Sequence, residues 1–297
     1  MNMNADTPLT PGKARRVLQI PWITLVLEFC LIAIPVELGQ FFIYSLPLSR
    51  LFRSALIMVF TVPVAWGTYY ILVHLIERRE LTELGFSHAF AETAKGIAIG
   101  ALLFGSCVAI LALAGSYKVL GMNAPYALLR PFFAAVSAGV FEEIVFRGVV
   151  FRIIERSLGS WIALAISAAI FGGLHLLNEN ATPIGAVAIM LTAGITLGGA
   201  FVLTRRLWLP MGIHFAWNFT QSGIFGTVVS GNQLGEGLLR STLSGPDWLT
   251  GGAFGVEASI AAVAVGLIVG ALFLWRASRS GNIVRWHRDH AKDLLAA

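Results

Sequence analysis

Residues 132–151 read FFAAVSAGVFEEIVFRGVVF. At about 1.5 Å per residue, a helix of this length matches the roughly 30 Å hydrocarbon core of a bilayer. Yet it carries Glu142, Glu143 and Arg147, each costing several kcal/mol in lipid unless paired or wetted. A membrane helix with charges at its centre is therefore the feature to explain. The rest of the chain has the same apolar character. Of 297 residues, 57% are apolar and 12% charged, about half the roughly 25% charge of a soluble domain.

Eight apolar runs approach spanning length, at about 18–38, 54–76, 94–115, 127–150, 158–175, 184–203, 207–226 and 256–275. They are continuous rather than alternating, which favours helices over a closed barrel. The expected fold is all-α: a polytopic integral membrane bundle of about eight transmembrane helices. The first run contains Glu28 and Glu37 and lacks a small-x-small cleavage site, so it reads as an uncleaved span rather than a signal peptide. With the N-terminus inside, fifteen Lys and Arg fall on the inner side, among them Lys13, Arg15, Arg16, Arg288 and Lys292, and five on the outer. By the positive-inside rule both termini are cytoplasmic. The basic balance thus records topology, and no aromatic-interleaved basic patch points to nucleic acid. Cys30 and Cys107 lie in apolar runs and exclude a disulfide scaffold.

The expected organisation is a cytoplasmic tail (1–17), N-terminal spans (18–126), a core carrying the charged motifs (127–226), a glycine-rich outer loop (227–255), and a last span with a basic tail (256–297). The irregular stretch 223–255 is expected to be a connector or, alternatively, a substrate-contacting flap.

Ionisable and amide side chains recur on later spans. Phe171-Gly-Gly-Leu-His175 ends the fifth run, and His214-Phe-Ala-Trp-Asn218 lies in the seventh. Glu143 precedes Arg147 by four residues, the spacing of an intrahelical ion pair, which leaves Glu142 as the free carboxylate. Glu142 with His175 suits activation of a water, His214 with Asn218 suits donation to an oxyanion, and Phe171 sits one turn before His175 to fix its rotamer. A zinc ion held by Glu142, His175 and His214 is the alternative, although there is no HExxH helix. Counted along straight helices, Glu142 lies about 15 Å from Arg152 and His214 about 12 Å from Arg206. His175 lies deeper, about 21 Å from Trp161, so these spans must tilt or dip to meet.

Glu142, Glu143 and Arg147, then Phe171 and His175, then His214 and Asn218 together form a pattern that resembles the CAAX proteases and bacteriocin-processing enzymes, which include type II CAAX prenyl endopeptidases. The resemblance spans about residues 127–222. It implies a multi-pass endopeptidase of the cell membrane, of prokaryotic type, acting on a membrane-associated peptide or protein such as a prenylated CAAX tail or a leader peptide. It assigns water activation to Glu142 and His175 and oxyanion stabilisation to His214 and Asn218. The alternative is a non-catalytic scaffold or bacteriocin-immunity-type protein of the same fold. A proton-coupled transporter is disfavoured by the lack of internal repeats.

Other candidates read as structural. Glu28 and Glu37 are expected to line the bundle, His74 to sit at an interface beside Glu77, Arg78 and Arg79, and His88, His287 and His290 to be solvated. Gly194, Gly198 and Gly199 are expected at close helix crossings.

Overall fold

The structure, a computed structural model, describes residues 20–235 and 237–286. The inner-face cations Lys13, Arg15, Arg16, Arg288 and Lys292, and also His287 and His290, lie outside the described residues.

Helix α1 (Pro21–Ser45) opens with proline at its first turn, where a missing N–H costs nothing. Helix α2 (Arg50–Leu72) is capped by the Ser49 hydroxyl, which accepts from the Phe52 N–H, and runs on as a π turn, Val73–Glu77. Helix α3 is Ala89–Leu113 and strand β1 Tyr117–Met122. Helix α4 (Leu129–Glu143) passes through a buried π turn, Ile144–Phe151, into α5 (Arg152–Leu174). Helix α6 (Pro183–Ile189), capped by Thr182, leads through the π turn Met190–Gly194 into α7 (Ile195–Thr204). Helix α8 (Trp208–Asn218) ends in the π turn Phe219–Ile224. Strand β2 (Leu239–Leu243), a single turn α9 (Asp247–Thr250) and α10 (Ile260–Arg279), capped by Ser259, complete the chain.

Among the described residues, six helices are long and apolar enough to cross a membrane: Pro21–Ser45, Arg50–Glu77, Thr82–Leu113, Pro125–Leu177, Pro183–Thr204 and Ile260–Arg279. The count differs from eight in two places. The runs at 127–150 and 158–175 both fall in the stretch Pro125–Leu177, which bends at Gly159 into two arms, and the run at 207–226 is only α8 and its π turn. Hydropathy breaks at Arg152–Ser157, but the helix does not, because protein partners take up the polar groups. Arg152 grips both oxygens of Glu77 at 2.5 and 2.6 Å, and Arg205 reaches Glu155 at 2.5 Å. The actual break falls at Gly159, whose φ of 78° only glycine adopts cheaply. There the Ser160 N–H donates to the Val284 carbonyl at 2.9 Å, docking the segment after α10 into the kink.

Close crossings use the small residues. A methyl group at Gly96 of α3 would lie 2.5 Å from the Leu209 carbonyl oxygen and 2.9 Å from the Gly212 Cα of α8. Gly194 and Gly198 likewise meet Ala168 and Leu164 of α5, and Gly199 meets α10 at Gly270.

One end of the bundle gathers the charges. Arg79 and Arg152 share Glu77 and Glu83, Arg156 also reaches Glu77 at 2.9 Å, and Arg206 pairs with Glu92. Tyr69, fully buried, donates to Glu83. Glu28 is buried 3.8 Å from Arg152, and neither of its oxygens accepts a hydrogen bond.

The stretch 223–255 is not an open connector over its described residues. Strand β2 pairs antiparallel with β1, with Tyr117 opposite Leu243 and Met122 opposite Leu239. The Gly231 N–H donates to the Phe254 carbonyl at 2.7 Å. Phe254, Val256 and Glu257 are buried against the bundle.

Candidate active site

The π turn Ile144–Phe151 is buried throughout, so the helix leading into it, with Glu142 and Glu143 at its end, lies in the middle of the protein. The two glutamates differ sharply. Glu143 is fully buried, and one oxygen, Oε1, accepts from both Arg147 Nη1 at 3.0 Å and His214 Nδ1 at 2.8 Å. Glu142 keeps 24% of its side chain exposed, with Oε2 buried, unpartnered and 3.8 Å from His214 Nε2. His214 thus lies between two carboxylates from α4, one on each ring nitrogen.

Arg147 spends its second terminal nitrogen on the carbonyls of Ala193 at 3.1 Å and Gly194 at 3.4 Å. These belong to the π turn joining α6 and α7, where the widened helix leaves carbonyls for other donors. The guanidinium also lies 4.8 Å from the centre of the Phe171 ring. That ring stands 4.7 Å from His175 and 6.2 Å from His214, making Phe171 a shared platform for Arg147 and both imidazoles.

His175 begins the 3-10 turn that ends α5. Its Nδ1 lies 2.7 Å from the Phe171 carbonyl. A carbonyl only accepts, so Nδ1 carries the proton and Nε2 is left for chemistry. No hydrogen bond or ion pair joins Glu142 to His175.

A cavity of about 40 Å³ lies beside these groups, walled by α5, α7, α8 and α10. Its polar wall includes His175, His214, Asn218, Ser230 and Glu257, and Phe171 and Trp217 are among its rings. Glu142 is not in its lining, but its Oε2 lies 3.8 Å from Nε2 of His214, which is. A water needs roughly 10–15 Å³ of such space and two to four polar partners, so the cavity is large and polar enough for one.

Glu257 is the member that the sequence reading did not single out. It lies in the turn Val256–Ala258 ahead of α10 and is buried. It accepts from the Ser230 backbone N–H, and Trp217 lines the same cavity. Burial pushes its carboxyl above the usual carboxylate range, against the pull of this donor and of nearby His175. The one cue in the sequence was an acid in an apolar neighbourhood, with no recognisable spacing to the histidines.

Among the described residues no three His, Cys, Asp or Glu side chains are grouped closely enough to hold a metal ion.

The side chains that converge here come from one contiguous region of the chain, Ser230 and Glu257 excepted. Residues 123–220 match the family model described as Type II CAAX prenyl endopeptidase Rce1-like. This is a protease family, and it supports endopeptidase activity at a membrane. The Rce1-like segment, about a third of the chain, runs from the turn before α4 into the π turn after α8. It contains Glu142, Glu143, Arg147, Phe171, His175, His214 and Asn218, and it stops short of Glu257. No curated protein and no solved structure matches the chain.

Proposed function

We propose that the protein is an intramembrane endopeptidase that hydrolyses a peptide bond of a membrane-associated protein, with water activated by Glu142 and His175. The observation that carries the reading is the polar cavity bordered by His175, His214 and Asn218, with the unpartnered Glu142 Oε2 3.8 Å from Nε2 of His214. Buried lone pairs without protein donors are where a water binds.

The water oxygen attacks the scissile carbonyl carbon as Glu142 takes one of its protons, assisted by the free Nε2 of His175. The carbonyl electron pair moves to oxygen, and Asn218 and His214 donate to that oxyanion. With Nδ1–H held by Glu143, His214 donates from Nε2 only when the ring carries both protons; carboxylates at 2.8 and 3.8 Å favour that charge. The C–N bond then breaks, and the proton on Glu142 passes to the leaving amine. Carboxylate and amine products result. Every step uses side chains of this chain alone.

The substrate classes that fit are a prenylated CAAX-type tail or a leader peptide, and the favoured setting is the cell membrane of a prokaryote. The charged end, where Arg79, Arg152, Arg156, Arg205 and Arg206 gather, is assigned to the cytoplasm by the positive-inside rule.

Comparing the membrane peptidomes of wild-type and Glu142→Ala cells tests the reading. An accumulating uncleaved precursor is the expected result. Identical peptidomes, with the variant correctly inserted, would sink it in favour of a scaffold. Purified enzyme assayed with and without 1,10-phenanthroline separates the water-only mechanism from the zinc alternative, with unchanged activity expected.

A further inference from the structure

The segment between α8 and α10 folds back so that one buried carboxylate reaches the cavity of the candidate site. We propose that Glu257 is a positioning residue for His175: across the cavity, it holds the imidazole in place and balances the charge that the ring gains on taking a proton. This rests on the endopeptidase reading above and extends its site beyond the Rce1-like segment.

Three observations converge on it. First, Glu257 and His175 line the same small cavity without a direct ion pair between them, an arrangement that a bridging water completes. Second, the Glu257 carboxylate is fixed: the Ser230 N–H donates to its Oε1, and a carboxylate oxygen that takes such a donor is held as an acceptor. Third, the backbone around Ser230 is tied to the end of α5. The Asn178 amide, three residues beyond His175, donates to the Ser230 carbonyl at 2.8 Å, and Asn180 donates to Gly231 at 2.8 Å. Two loops distant in sequence are thus clamped so that the acid on one faces the histidine on the other.

The pairing also repeats a logic already present on the other side of the cavity. There Glu143 engages Nδ1 of His214 and fixes its tautomer. His175 gets its tautomer from the Phe171 carbonyl instead, which is neutral and offers no countercharge. A half-buried imidazole that gains a proton inside a small cavity is stabilised by one, and Glu257 is the acid lining the same cavity.

The test uses the full-length protein in detergent micelles, selectively labelled with ¹⁵N-histidine, with His175 assigned by its loss in His175→Gln. Glu257→Gln is expected to shift the His175 ring resonances while leaving the thermal midpoint near wild type, and Glu257→Asp to restore them in part. Unmoved His175 resonances would overturn the pairing, and this readout needs no substrate. Turnover of the precursor identified by peptidomics gives the second arm. For Glu257→Gln, kcat should fall about tenfold or more with KM nearly unchanged, as when an orienting acid is lost behind a catalytic histidine. A normal kcat despite shifted resonances would overturn the positioning role. A wild type with no cleaved precursor would instead refute the endopeptidase reading.

Discussion

Glu142 and Glu143 are neighbours in sequence with opposite surroundings, and this divides their expected phenotypes. Glu143 neutralises buried Arg147 and orients His214 through one oxygen. Removing one partner of a buried pair leaves the other charge unpaired, at about 3–5 kcal/mol. Glu143→Gln should therefore lower the thermal midpoint sharply and abolish cleavage. Glu142→Gln removes no protein hydrogen bond from its buried oxygen. Its melting should stay near wild type while kcat falls about a hundredfold or more. Equal melting for both variants would contradict the division. The i,i+4 spacing pointed to the pairing of Glu143 with Arg147. It gave no sign of the third member, because His214 lies 71 residues on and only helix packing brings it there.

At the scale of elements, irregular helix places the site. The π turn Ile144–Phe151 begins directly after Glu143 and carries Arg147, and the π turn Phe219–Ile224 begins directly after Asn218. The break at Gly159 lets the arm carrying His175 leave the direction of α4, which removes the straight-helix premise behind the depth mismatch. A methyl group at Gly159 would lie 2.8 Å from the Trp286 nitrogen and 2.9 Å from the Val284 oxygen, and φ is positive there as well. Gly159→Ala is expected to destabilise the fold by about 1–3 kcal/mol and to release the 282–286 segment. Limited proteolysis after α10 would show faster cleavage than in wild type. The apolar runs were legible because hydropathy is a local property. The continuity of helix through Arg152–Ser157 was not, because it depends on Glu77 and Arg205 accommodating Arg152 and Glu155.

Over the whole molecule, the charge network at one end ties α2 and α5 to the polar stretch between α2 and α3. Glu77 alone receives Arg79, Arg152 and Arg156. Glu77→Gln should cost several kcal/mol, since Arg152 is buried and would lose its closest countercharge. The active site lies elsewhere, so kcat per folded molecule should hold near wild type; a thermal melt paired with an active-site-normalised assay distinguishes the two effects. A reporter fused after Ala297 should read as cytoplasmic, and an outward reading would reverse the assigned orientation.

The sequence by itself determined that this is a helical membrane protein, and it singled out Glu142, Glu143, Arg147, Phe171, His175, His214 and Asn218 as the candidate site. Scarcity of charge and turn-by-turn spacing are written locally, and charges that survive in apolar helices stand out. Tertiary structure alone decided that Glu143 serves both Arg147 and His214, that Phe171 underlies three side chains, and that Glu257 joins the site from beyond the last motif. Those relations join residues tens of positions apart. Their cause is packing: small residues let helices approach, π turns and Gly159 redirect them, and buried polar groups must find partners wherever the fold brings them.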